Sequence, residues 1–278
     1  MAVLLALIAS GCWGLADFTG GLKSRRVPVL AVLFIVEGTG MVLVLVLIAI
    51  EGEPLPGGTA IVESLLAGTA GMVALGAFYR ALAIGTMSIV APISSTGVAI
   101  PVIVGIVTGN RLSVVVSLGL AIAVVGVVLA SREQHDDVGA LRARRASVAL
   151  ALAAAVGFGA YFALADPAAD ASILWLLVLS RLVAVPALAG ILLARRVAVP
   201  GRRDLLTLVG AGALDVTATG LFGLANTKGA LAVVSVVGSL YPVATVLLAR
   251  ALLGERLRPV QAAGVVAALT GVALVAAG

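Results

Sequence analysis

Ten stretches of about twenty predominantly apolar residues follow one another along this 278-residue chain, at roughly 2–22, 28–50, 60–83, 88–108, 112–130, 147–165, 171–194, 205–225, 230–250 and 259–277. About twenty such residues are what a helix needs to cross the hydrocarbon core of a bilayer. Lipid offers no hydrogen bonds, so each backbone amide must be satisfied inside its own span, and the spans are helices rather than strands. With 62% hydrophobic and 11% charged residues and a mean hydropathy of +1.23, an ordinary soluble domain is excluded. Little chain is left for loops, and none for a soluble catalytic domain. The expectation is an all-α integral membrane protein of ten transmembrane helices.

The chain also repeats itself. Gly109-Asn110-Arg111-Leu112 returns 145 residues later as Gly254-Glu255-Arg256-Leu257, and Gly119, Ala123 and Gly126 fall on Gly264, Ala268 and Gly271. The longest polar stretch, Ser131 to Ala146, divides the spans five and five. This predicts a first repeat over 1–130, a cytoplasmic linker over 131–146 and a second repeat over 147–278. Five is odd, so the second copy enters the membrane from the opposite side, and the repeats are inverted about an axis in the membrane plane. Gly119 and Gly126 are seven apart, on one helix face, as are Gly264 and Gly271. Small residues let helix backbones approach closely in lipid, so these are read as helix-packing faces of the fifth and tenth spans.

The formal charge of +5 and pI near 10.1 would suggest nucleic acid as a partner for a soluble chain. Here the positions of the charges argue against nucleic acid. One side receives Lys23, Arg25, Arg26, Arg80, Arg132, Arg142, Arg144, Arg145, Arg195, Arg196, Arg202, Arg203, Arg250, Arg256 and Arg258, the other only Arg111 and Lys228. The basic side is cytoplasmic by the positive-inside rule, which puts both termini outside a plasma or inner membrane. Membrane lipid accounts for the basicity. Leu7 to Cys12 resembles a lipoprotein cleavage site. No basic residue precedes it and the apolar run continues to Lys23, so it reads as a first transmembrane helix. Cys12 is the only cysteine, which leaves no internal disulfide, and no cofactor or metal site is expected.

Gly-Glu-Arg-Leu at 254–257, followed by Gln261, Gly264 and Gly271, resembles the EamA family of the drug/metabolite transporter superfamily. Trp13-Gly14 is similar to that family's aromatic-glycine pair. Tyr79-Arg80-Ala81-Leu82 before Ser88-Ile89-Val90-Ala91-Pro92 is similar to its junction between the third and fourth spans. Asn110 departs from the pattern, where glutamate is the family's residue. The resemblance implies a transporter with a central cavity between the two halves, lined by the first, third, fourth, sixth, eighth and ninth spans. Its substrates would be amino acids, other small metabolites or drugs, usually exported.

Ionisable side chains deep in a span are rare and are usually paired or cavity-facing. Four qualify: Asp17, Glu37, Arg181 and Asp215. Asp17 and Asp215 belong to spans that the resemblance assigns to the cavity. One or both are candidates to bind a substrate ammonium or a coupling proton, since a desolvated carboxyl group can exchange protons near neutral pH. The alternative is a structural carboxylate satisfied by Thr19, Thr217 or Thr219. Glu37 and Arg181 stand 144 residues apart at matching depths, which suggests an ion pair or gate across the pseudo-two-fold axis; local satisfaction is the alternative.

Pro92 and Pro101 in the fourth span and Pro242 in the ninth predict kinked or unwound helices, the best pointer in a sequence to a transporter's binding site. Ser94, Ser95 and Thr96 beside the first, and Ser235, Ser239 and Tyr241 beside the second, are candidate substrate contacts, or simply bond back to their own helices. Trp13, Phe18, Tyr79, Phe158, Tyr161 and Phe162 are candidates to shape the cavity, with helix packing as the other role. The competing functions are a passive channel and an intramembrane enzyme using Asp17 and Asp215. No HExxH, P-loop or serine-histidine pair supports the enzyme, and the one histidine, His135, lies in the linker.

Overall fold

Long apolar sequence becomes helix wherever the structure can be described. The computed structural model describes residues 1–100, 104, 113–130, 138–228, 234 and 237–277. Among them are ten α-helices of nine residues or more and no strand. They are α1 (Ala2–Lys23), α2 (Val29–Glu51), α3 (Gly58–Ile84), α4 (Met87–Ser95), α5 (Val114–Ala130), α6 (Val138–Ala171), α7 (Ile173–Ala194), α8 (Arg202–Asn226), α9 (Tyr241–Leu253) and α10 (Pro259–Ala277). Seven of these contain stretches long and apolar enough to cross a membrane: α1, α2, α3, α6, α7, α8 and α10. α5 and α9 are shorter apolar helices. The rest of the fourth and ninth apolar runs, with Pro101, Ser235 and the Gly109–Leu112 motif, falls outside the described residues, as does 131–137.

Within the stretch 131–146, α6 starts at Val138 and runs unbroken into the sixth span. Leu141 to Ala146 is rich in alanine and arginine, which hold a helix well. The same helix continues through Pro167 to Ala171, where Ser172 ends it in extended conformation and caps α7, its side chain accepting the Trp175 N–H.

Small residues set the packing. α1 lies against α8, α9 and α3; α3 also packs on α6 and α7; α2 packs on α7 and α8; α4 packs on α6 and α9; and α5 packs on α10. On α5 and α10 the paired glycines meet face to face: a Cβ on Gly119 would sit 2.9 Å from Gly271 O, and one on Gly126 would sit 2.8 Å from Gly264 O. On α1, a Cβ on Gly14 would come within 2.6 Å of Tyr241 O, and Thr245 Oγ1 donates to Gly14 O at 3.1 Å. That is a structural reason for glycine after Trp13. The largest core cluster joins Val32, Leu33 and Val36 of α2 to Phe78, Tyr79 and Leu82 of α3, Met87 to Ile93 of α4, and Ala184 and Leu188 of α7.

Candidate functional site

The four ionisable residues singled out within spans come from four helices and both halves of the chain, and three of them are in contact. Arg181 on α7 donates from Nη2 to Asp215 Oδ2 on α8 at 2.8 Å. Its Nε lies 3.3 Å from Glu37 Oε2 on α2, close enough for charge pairing but not aligned as a hydrogen bond. Its Nη1 donates to Leu177 O one turn back at 3.1 Å. The guanidinium is only 8% exposed, so leaving it unpaired in this environment would be costly. Gly40, one turn after Glu37, makes room for it: a Cβ there would lie 2.7 Å from Arg181 Nε.

The Glu37–Arg181 pair expected from matching depth is therefore present, but with a third member. Asp215 is the more closely bound partner. Its carboxylate is held by Arg181 rather than by the neighbouring threonines. Thr217 and Thr219 instead donate to Ala213 O and Asp215 O of their own helix, because a hydroxyl at these positions reaches the carbonyl one turn back.

Asp17 differs. It is partly buried on α1, and among the described residues it makes neither a hydrogen bond nor an ion pair. Its neighbours along the same helix face are Trp13, one turn before, and Gly20, one turn after. Trp13 meets Phe222 of α8 at 5.4 Å between ring centroids and Tyr241 of α9 at 6.4 Å. Gly20 meets the ring of Tyr79 on α3, which is 2% exposed. Asp215, Tyr79 and Tyr241 all lie within electrostatic range of Asp17. Trp13, Asp17, Tyr79 and Tyr241 are thus brought together as a group, and Phe222 joins them although nothing in its sequence context marked it.

Other candidates sit elsewhere. Ser94 Oγ donates to Ala151 O of α6 at 3.3 Å, Ser95 Oγ to Pro92 O at 2.9 Å and Thr96 Oγ1 to Ile93 O at 2.7 Å. Their protons serve the backbone. Pro92 is inside α4, which gives way to a 3-10 turn at Thr96–Val98. Pro242 stands in the first turn of α9, where no N–H is needed, just after a turn at Ser239 and Leu240 that separates this helix from helical residues 237 and 238. Ser239 lies in the turn just before it. Phe158 packs edge-on against Phe78, and Phe18 belongs to the buried core. Phe162 is 54% exposed on the bundle surface and does not line an interior site.

A second polar site went unmarked. Gly254 adopts φ +65°, the left-handed cap that ends α9, and the chain turns there. The turn delivers Glu255 to the start of α4, where it accepts the Met87 and Ser88 N–H groups at 3.0 and 2.9 Å. Those N–H groups have no partner within their own helix, and the helix dipole favours an anion there. Arg25 Nη2 stands 3.5 Å from the same carboxylate and 3.4 Å from Gly85 O. Lys23 Nζ pairs with Asp204 Oδ1 at 2.6 Å. Gln261 Oε1 accepts Arg258 N–H at 3.2 Å, which caps the start of α10. The repeat motif thus ties the two halves together at the basic side, and its glutamate could have been suspected from being an acid among arginines.

No curated protein sequence matches the chain. A solved structure described only as "Crystal structure of protein" matches 99% of this chain and 96% of its own, with a TM-score of 0.65 at 16% identity, a likeness of fold alone. A family model described as "EamA-like transporter family" matches twice, over residues 1–132 and 145–277, and the chain belongs to that family, a member of the drug/metabolite transporter superfamily.

Proposed function

We propose that this multi-pass membrane protein is a secondary transporter of the plasma or inner membrane that exports a small metabolite, amino acid-like or drug-like, by alternating access. The observation that carries the reading is the convergence of Asp17 and Glu37 from the first half with Arg181 and Asp215 from the second. Charges are tolerated deep in a membrane protein where they line a pathway or hold its moving parts.

The helix packing supports two inverted five-helix repeats around this site. Advancing each helix by five places turns the α1–α8 contact into α6–α3, α2–α8 into α7–α3, and α1–α9 into α6–α4. The contacts α2–α7, α4–α9 and α5–α10 map onto themselves. Such an arrangement lets one half rock against the other around a fixed site. With the basic loops cytoplasmic and the termini outside, the Glu255, Arg25 and Lys23–Asp204 contacts hold the inner side closed, and their release opens the site inward.

Within this reading, Trp13, Asp17, Tyr79 and Tyr241 meet the substrate, with Ser239 near the site, and Asp17 is the residue available for proton coupling. Asp215, Glu37 and Arg181 hold the halves in register. The experiment is counterflow in liposomes containing the purified protein. Saturable exchange that trans-substrate accelerates supports a carrier. Flux that neither saturates nor shows counterflow means a passive channel and ends the proposal.

A further inference from the structure

We propose that the site takes an organic cation, an ammonium carried on an aromatic or apolar body, and that Asp17 rather than Asp215 is its counter-ion. The inference rests on the transporter reading for its physiological meaning, but not for its chemistry. Three carboxylates and one guanidinium occupy the interiors of the spans, so negative charge is in excess. Arg181 contacts two of the three acids. Asp17 is left with no ion pair or hydrogen bond among the described residues, and the charge that acts on it is the like charge of Asp215. An anionic guest would add to that excess. With a neutral guest Asp17 would have to take up a proton, while a cation compensates the carboxylate directly.

A second observation points to the same space. Tyr79 is 2% exposed as a residue, and its hydroxyl, which has no hydrogen-bond partner among the described residues, keeps some accessible surface of its own. A Cβ on Gly20 would lie 2.6 Å from this hydroxyl, which fixes Tyr79 one turn along α1 from Asp17. A guest ammonium between them could donate to both oxygens. One turn before Asp17, Trp13 meets Phe222 of α8 and Tyr241 of α9, so three aromatic rings from three helices gather there. Ring faces attract cations, most strongly where water is excluded. Carboxylate, phenol and aromatic rings are together what recognises an amine with a hydrophobic body.

Trp13 is its own reporter. The chain has two tryptophans, and Trp175 lies away from this group, with its indole N–H on Glu53 O. In a Trp175→Phe background, the purified protein is titrated with phenethylammonium, 2-phenylethanol and 3-phenylpropionate while Trp13 emission is followed. The expected result is a saturable change with phenethylammonium, at least about tenfold tighter than with the alcohol, and none with the carboxylate. Asp17→Asn should weaken the ammonium by at least about tenfold, Asp17→Glu should restore part of it, and Asp215→Asn should affect it less. Equal response to all three probes, preference for the carboxylate, no response to the ammonium, or unchanged binding in folded Asp17→Asn would each overturn the proposal. The last two results would leave Asp17 as a proton site or a structural acid.

Counterflow separates this inference from the transporter reading. Exchange of labelled anions but of no labelled ammonium compound overturns the cation site and keeps the carrier. A saturable Trp13 response without counterflow of any compound does the reverse.

Discussion

Two acidic regions share the interior of this bundle and behave oppositely. On α2, α7 and α8, Glu37 and Asp215 hold Arg181 from two sides, with Gly40 clearing the space. On α1, Asp17 stands near aromatic rings with no counter-ion among the described residues. A charge whose partner is built into the fold holds helices together and is unavailable to a guest. A charge without one is where a guest completes the structure. The difference comes from the helix of origin: α7 carries an arginine at the depth of Glu37, whereas the described basic residues of the helices packed against α1, such as Arg80, Arg202, Arg203 and Arg250, lie near helix ends.

The comparison breaks most visibly at Arg181. Arg181→Met leaves two carboxylates facing each other without a cation, and should cost about 3–5 kcal/mol, seen as a large drop in thermal unfolding temperature in detergent. The triple variant Arg181→Met, Glu37→Gln, Asp215→Asn should recover most of that loss, since it removes the whole set. If it does not, the three residues do not act as one unit. The structure also changes the meaning of a charge swap. Glu37→Arg with Arg181→Glu would place the new glutamate beside Asp215, so it should not rescue the single variants.

A smaller effect is expected at Gly40. Gly40→Ala pushes against Arg181 Nε and should cost about 1–3 kcal/mol by overpacking, whereas Gly38→Ala, on the same helix with open space around it, should be near neutral. Equal melting of the two variants would show that the guanidinium moves aside freely. Next comes Glu255→Gln, which keeps the shape but weakens a charged cap at α4. A loss of about 1 kcal/mol is expected, together with increased labelling of a cysteine introduced near Ser88 from the cytoplasmic side. Unchanged labelling would mean that this contact does not close that face.

Asp17→Asn should have the least effect on folding. No partner is broken and a buried charge is removed, so the melting temperature should hold or rise slightly, while counterflow is lost. A variant that melts as far as Arg181→Met would place Asp17 among the structural charges and erase the distinction between the two regions.

Much of the architecture could be read before any coordinates. Span length follows from bilayer thickness, and helices follow from the absence of hydrogen-bonding solvent, so both are written locally in apolar runs. The glycine pairs at 119 and 126, and at 264 and 271, have a spacing that already names a helix face. Serines 94 and 95 were harder to interpret. A hydroxyl on a helix can bond to a carbonyl one turn back or reach into a cavity, and only the neighbours decide which. The structure gives Ser94 to Ala151 O and Ser95 to Pro92 O. Pro242 was likewise ambiguous, because the same residue kinks a helix or opens one according to where the helix begins.

The sequence by itself determined that this chain is membrane-embedded, helical and duplicated, and which four ionisable residues lie deep in it. Hydropathy, spacing and composition are properties of neighbouring residues, and they need no knowledge of what packs against what. Only the tertiary structure decided how those four are divided: Asp215 to Arg181 with Glu37, Asp17 to the aromatic group, and Glu255 to the first turn of a helix some 168 residues away in the chain. Electrostatic partnership depends on separations of a few ångströms across helices far apart in sequence, and no local pattern records those.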